Sequence, residues 1–149
     1  MHNFIKNIYS DINIHRWEQL KDASVEEVIL DISEKLGLHI HFYNYPTELN
    51  NLGGEWRIYL NQEQSKHDLW QDFGRSMAVY ACYQMFLEGK ATRELHNFHL
   101  YFCVPKFLMN QLSLCAQTMT REEIIHEISR VFHVEYDFAE LRLQLHCAS

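Results

Sequence analysis

Glycine and proline are scarce in this 149-residue chain, at five and two. With so few chain breakers, no stretch reads as a linker or a low-complexity segment, and residues 1–149 are expected to form one domain. Phosphate-cradling loops are excluded as well: Gly53-Gly54 is too short, and no Lys-Ser or Lys-Thr follows it. The four cysteines, Cys82, Cys103, Cys115 and Cys147, form no C-x-x-C pair and point to reduced, mostly buried thiols. No apolar run approaches the roughly 18 residues that cross a bilayer, so no membrane partner is expected. The opening Met1-His2-Asn3-Phe4-Ile5-Lys6 lacks the basic-then-apolar pattern of a signal peptide, which makes the cytoplasm the expected compartment. The net charge of −7 and the lack of a basic stripe argue against direct nucleic-acid binding. Nucleophilic catalysis has no support either. Gly-x-Ser-x-Gly is missing, Ser76 lies mid-helix without an obvious base, and no cysteine is flanked by signals for a lowered pKa.

What is present is an ordinary core-forming content, 47% hydrophobic residues, enough for one globular unit. Residues 1–21 mix apolar, aromatic and polar side chains and are expected as an N-terminal helical arm. Ser24-Val25-Glu26-Glu27 reads as a capping box opening a helix, with Val28, Ile29, Ile32 and Leu36 spaced for burial and Gly37 as its stop. Leu38 to Phe42 and Trp56 to Leu60 alternate as strands, with a turn expected over residues 50–54. A long helix is expected from Ser65 to about Leu87, stopped by Gly89. Further helices are expected from Glu94 to Cys103, after Pro105, from the capping box Thr120-Arg121-Glu122-Glu123 to Phe132, and from Tyr136 to Leu145. The expected class is α+β, mostly helical with a small sheet.

Positions 68, 72, 75, 79 and 83 of the long helix share one face, which carries Asp68, Asp72, Arg75, Val79 and Tyr83. Spacing alone reads this equally as a site or as a part-charged, part-apolar surface. Two segments have a shape near HExxH, the pattern in which two histidines on one helical face share Zn²⁺ and the Glu serves as base. These are His67-Asp68-Leu69-Trp70-Gln71 and His126-Glu127-Ile128-Ser129-Arg130, and each lacks the second histidine. His96, His99 and Cys103 stand at i, i+3 and i+7 and form a rival zinc set, although Cys103 also reads as core packing.

Three blocks carry a resemblance. Trp70-Gln71-Asp72-Phe73-Gly74 and the helix after it, Asn97-Phe98-His99-Leu100-Tyr101-Phe102-Cys103-Val104-Pro105 with its following helix, and Phe132 to Leu143 resemble corresponding segments of the ImmA/IrrE family of metallopeptidases, especially its phage and mobile-element members. Trp56 to Asn61 is similar to that family's edge strand. The resemblance spans roughly residue 24 onward and implies a zincin-like core. It places Arg75, Ser76 and Val79 at the HExxH positions, and Glu94 or Thr92 near the third ligand. An Arg75–Glu94 pair is then expected to replace zinc as a tie between two helices, since a buried carboxylate needs a cation. Active relatives cleave helix-turn-helix repressors of prophages. The resemblance therefore implies a non-catalytic regulatory protein of a prophage or mobile element, in a bacterial cytoplasm, without a cofactor. It would bind a repressor or another regulator without cutting it, and its acidity would suit a basic partner. The alternative is a working zinc peptidase with an unorthodox ligand set drawn from His67, His96, His99, Cys103 and Glu94. A third reading is an oligomerisation module that uses the N-terminal arm.

Overall fold

A computed structural model describes residues 1–87 and 95–148. The N-terminal segment folds as two short helices, α1 (His2–Asp11) and α2 (Trp17–Asp22). α1 lies in the core, where Ile5, Ile8 and Tyr9 are buried. α3 (Val25–Leu36) buries Val25, Val28, Ile29 and Ile32, one stripe of a 3.6-residue period. Gly37 ends it in the left-handed region at φ 70°, which lets the Leu38 amide reach back to the Ser33 carbonyl at 2.8 Å. The capping box expected at Ser24 does not form. The Ser24 hydroxyl turns to the Glu26 carboxylate, which also receives Lys66.

Three strands follow: β1 (His39–Tyr43), β2 (Glu48–Leu52) and β3 (Glu55–Asn61). The sheet order is β1-β3-β2, with β1 parallel and β2 antiparallel to β3. Two expectations are corrected here. Residues 50–52 belong to strand β2, so the turn shrinks to Gly53-Gly54, both at positive φ. The segment Trp56–Asn61 is the central strand, and β2 is an edge. The inner face of β3 buries Ile58 and Leu60 beneath the helices. The outer face carries a ring ladder, with His41 stacked on Tyr59 at 4.9 Å and Tyr43 at 5.4 Å from Tyr59.

The long α4 (Lys66–Leu87) starts at Ser65, whose hydroxyl accepts the Asp68 amide at 3.0 Å. α4 sends Leu69, Trp70, Phe73 and Met77 into the core. α5 (Phe98–Cys103) crosses it, and is shorter than the helix expected from Glu94. Residues 88–94, with Gly89, Thr92 and Glu94, lie outside the described residues. α6 (Lys106–Cys115) follows the N-cap Pro105, α7 (Arg121–Phe132) follows a fully formed Thr120/Glu123 capping box, and α8 (Tyr136–Ala148) closes the described chain. The molecule is thus mostly helical with one small sheet, an α+β domain.

α4 can lie close against α5 because residue 74 has no side chain: a Cβ built on Gly74 would stand 2.4 Å from Cys103 Sγ. The helices then exchange two bonds, Trp70 Nε1 to the Cys103 carbonyl at 3.3 Å and the Cys103 thiol to the Trp70 carbonyl at 3.5 Å. The end of α5 collects donors from three helices. The Tyr9 hydroxyl caps the Phe102 carbonyl at 2.6 Å, Trp70 caps Cys103, and Arg142 Nε caps the Val104 carbonyl at 2.8 Å. Helix ends leave carbonyls without intrahelical partners, and Pro105 brings no N–H of its own. Three buried side chains supply what the backbone cannot.

Candidate functional site

The face of α4 singled out by spacing is a real surface. Asp72 is its hub. One carboxylate oxygen accepts the Thr47 hydroxyl at 2.9 Å and the Gln64 amide at 3.0 Å, while the other accepts Arg75 Nη1 at 3.2 Å. Thr47 in turn accepts the Asn61 amide at 3.3 Å, so the hub ties the β1–β2 connection and the end of β3 to α4. Arg75 spends its hydrogen bond on Asp72, three residues back on its own helix, with its side chain more than half exposed. The expected partner Glu94 lies outside the described residues.

Further along, Val79 is 53% and Tyr83 43% exposed. The Trp56 ring from β3 meets Tyr83 at 5.3 Å and Tyr80 at 5.8 Å, both edge-on. The face therefore runs from a charged end at Asp68, Asp72 and Arg75 to an apolar, aromatic end at Val79, Tyr83 and Trp56, beside the sheet. Ser76 points elsewhere and is buried.

Arg75, Ser76 and Val79, the residues that the resemblance sets against HExxH, do not fit zinc. A guanidinium has no free lone pair and repels a cation, valine has no donor atom, and the serine hydroxyl is buried away from both. The rival sets are dispersed. Gln71 is buried and accepts the Glu135 amide at 2.7 Å at the start of α8. His126 packs its ring on Tyr136, and Arg130 pairs with Glu127. His96 is exposed, whereas His99 is half-buried against the Phe138 ring at 5.8 Å. Burial holds the His99 imidazole below its ordinary value, and the charges of Arg75 and His96 push the same way. Burial pushes the Cys103 thiol well up, which keeps it protonated as a donor to α4. Cys82, Cys115 and Cys147 are exposed, against the expectation of mostly buried thiols, because each falls on the outer side or at the end of its helix. Among the described residues, no three His, Cys, Asp or Glu side chains gather into a group that could hold a metal ion.

Thr47, Gln64 and Trp56 complete the surface and were not legible as its members. Thr47 and Gln64 act through single side-chain bonds set by tertiary approach, a contact without a sequence period. Trp56 did alternate with Ile58, the mark of a strand's inner face.

The class this fold defines is a small α+β domain with a three-stranded mixed sheet packed under a long central helix. No family model matches the chain, and no solved structure matches it. It is 28% identical, over an aligned length of 155 residues, to phage-like element PBSX protein XkdA of Bacillus subtilis (strain 168), a match covering 97% of this chain and 72% of that protein. Along nearly its whole length, then, the chain is similar to a protein of a phage-like element. No helix of the described residues is long and apolar enough to cross a membrane.

Proposed function

We propose that this is an ImmA/IrrE-like regulatory protein of a prophage or mobile element that acts by binding a protein partner without cleaving it. The observation that carries the reading is the α4 face. The positions where the resembling peptidases hold zinc and its base carry Arg75, Ser76 and Val79, and the same face offers an exposed charged-to-aromatic surface beside the edge strand β2. Exposed aromatic side chains next to a fixed charge are the composition of protein interfaces. The similarity to a phage-like element protein supports the setting. A helix-turn-helix repressor is the expected partner, because a basic DNA-binding protein complements a chain of net charge −7. No cofactor takes part in this reading.

Two measurements test it. The purified full chain should contain well under one zinc per molecule by elemental analysis without added chelator. It should also capture the helix-turn-helix repressor encoded by the same element intact, and Val79→Arg with Tyr83→Ala should abolish capture while leaving the fold unchanged by circular dichroism. Stoichiometric zinc, or chelator-sensitive cleavage of the repressor, would overturn the reading in favour of a zinc peptidase with unorthodox ligands. Failure to associate would remove the repressor as partner.

A further inference from the structure

A groove between α1 and α6, away from the α4 face, is built unlike the rest of this acidic molecule. Two adjoining cavities, of about 150 and 430 Å³, share Lys6, Phe107 and Asn110 as walls. Among the described residues no Asp or Glu lines either one, although the chain carries a net charge of −7. Lys6 and Lys106 supply the cationic walls of the smaller cavity, and neither has an ion-pair partner among the described residues. The Lys6 ammonium lies 5.9 Å from the centre of the Phe107 ring, held by the aromatic face.

The smaller cavity is also where α6 begins. Its N-cap is Pro105, which has no side-chain acceptor, and its first turn contains no acidic residue. The unsatisfied amides and positive dipole end of this ten-residue helix therefore meet the cavity wall without a built-in counter-charge. A second cation lies behind the helix start. Arg142 is fully buried, donates through Nε to the carbonyl just before Pro105, and leaves both terminal nitrogens buried with no hydrogen-bond partner. Its guanidinium rests on the Tyr101 ring at 4.7 Å, a partial compensation, and no carboxylate pairs with it among the described residues. Burial lowers its pKa to about 10, so it stays charged at neutral pH. Buried cations are normally paired. This one sits behind the helix start, on the Val104 carbonyl, and lines neither cavity.

We propose that the groove binds a phosphate monoester, its phosphate between Lys6 and Lys106 at the N-terminus of α6 and its organic part along the larger cavity. A planar carboxylate is best met by an exposed bidentate guanidinium. The donors available here are two ammonium groups, one from α1 and one from α6, and the amides at the start of α6, a set suited to a tetrahedral dianion. Beyond the shared wall, the larger cavity is lined by Ser10, Ile14, His15 and Gln111, a mixture of apolar and polar groups of small-ligand dimensions.

The test is calorimetric titration of the full chain at low ionic strength with inorganic phosphate, adenosine 5′-monophosphate and adenosine. Phosphate and the monophosphate should bind, the monophosphate more tightly, and adenosine should not. The double variant Lys6→Gln/Lys106→Gln should weaken both anions at least about tenfold, since each ammonium makes a charge-assisted contact. Lys35→Gln, on α3, should change nothing. Equal affinities for phosphate and the monophosphate would overturn the monoester in favour of a bare anion site. No anion binding at millimolar concentrations, binding of adenosine alone, or unchanged affinity in the double variant would overturn the site itself.

Discussion

Replacing Gly74 by alanine separates two opposing effects that the structure sets against each other. In an open helix the change stabilises, because alanine exceeds glycine in helix propensity by about 1 kcal/mol. Here the new methyl would meet Cys103 Sγ at 2.4 Å, with the His99 carbonyl at 3.5 Å and Phe102 Cδ1 at 3.7 Å. An ordinary contact needs more than an ångström of further separation, and Cys103 has nowhere to go. It is fully buried, its side chain has one rotatable bond, and turning it breaks the thiol's bond to the Trp70 carbonyl. Overpacking of this kind costs about 1–3 kcal/mol or somewhat more. The steric term should win, leaving Gly74→Ala destabilised by about 1–2 kcal/mol net, a fall in Tm of about 2–8 °C for a chain of this size. Urea denaturation monitored by tryptophan fluorescence reads this directly, since Trp70 spans the crossing. The decisive experiment is the cycle with Cys103→Ala. Alone, that change removes a buried sulfur and costs about 1 kcal/mol. Combined with Gly74→Ala it also removes the clash, so the double variant should be more stable than the sum of the two singles by about 1–2 kcal/mol. A stabilised Gly74→Ala, or strictly additive effects, would refute the close crossing of α4 and α5.

Asp72→Ala should cost about 1–3 kcal/mol, because it strands the Thr47 and Gln64 donors along with Arg75, and hydrogen exchange should rise over residues 44–48. Arg75→Met should cost no more than about 1 kcal/mol, as expected for an exposed pair on one helix turn, and double-mutant analysis with Asp72 reads that term. The same substitution should raise the His99 pKa, observable by proton NMR of the imidazole. With a folded-state pKa below the ordinary histidine value, His99 favours the unfolded chain when protons are available. Stability should therefore be full above about pH 6.5 and decline as pH falls below it, with a smaller decline in Arg75→Met.

The elements with strong periods and end signals were legible in the sequence: α3 between Ser24 and Gly37, α7 behind Thr120, and α4 over its full length. Strand β2 was not, because Glu48 to Leu52 carries two asparagines and reads as turn, and only pairing with β3 makes it extended. Which strand is central was hidden for a similar reason, since order in a sheet is a tertiary fact. The residues that α4 itself gives to its exposed face were legible from the 3.6-residue repeat, whereas their hydrogen bonds and the neighbours Thr47, Gln64 and Trp56 were not. The resemblance suggested an Arg75–Glu94 tie between two helices; Glu94 lies outside the described residues, and the bond from Arg75 to Asp72 on the same helix was not anticipated. A neighbour at i−3 holds the guanidinium at little entropic cost, because both side chains start from one helix. The Val-Pro block looked like a family signature. Its physical content, a helix end whose carbonyls are capped by three other helices, depends on residues more than thirty positions away and leaves no local trace.

That helix end also sets an order of assembly. Its donors, Tyr9, Trp70 and Arg142, are far apart in the chain, and a ribosome delivers them in that sequence. Tyr9 and Trp70 are already waiting when α5 emerges, so α1, α4 and α5 can settle together as an early unit. The Val104 carbonyl must wait for α8. Until Arg142 arrives, the nascent chain holds a half-finished junction with open apolar surface around Phe102 and Val104, the interval in which chaperones and proteases find their substrates. A junction completed only by α8 offers a point of control: whatever dislodges α8 returns the end of α5 to that half-finished stage.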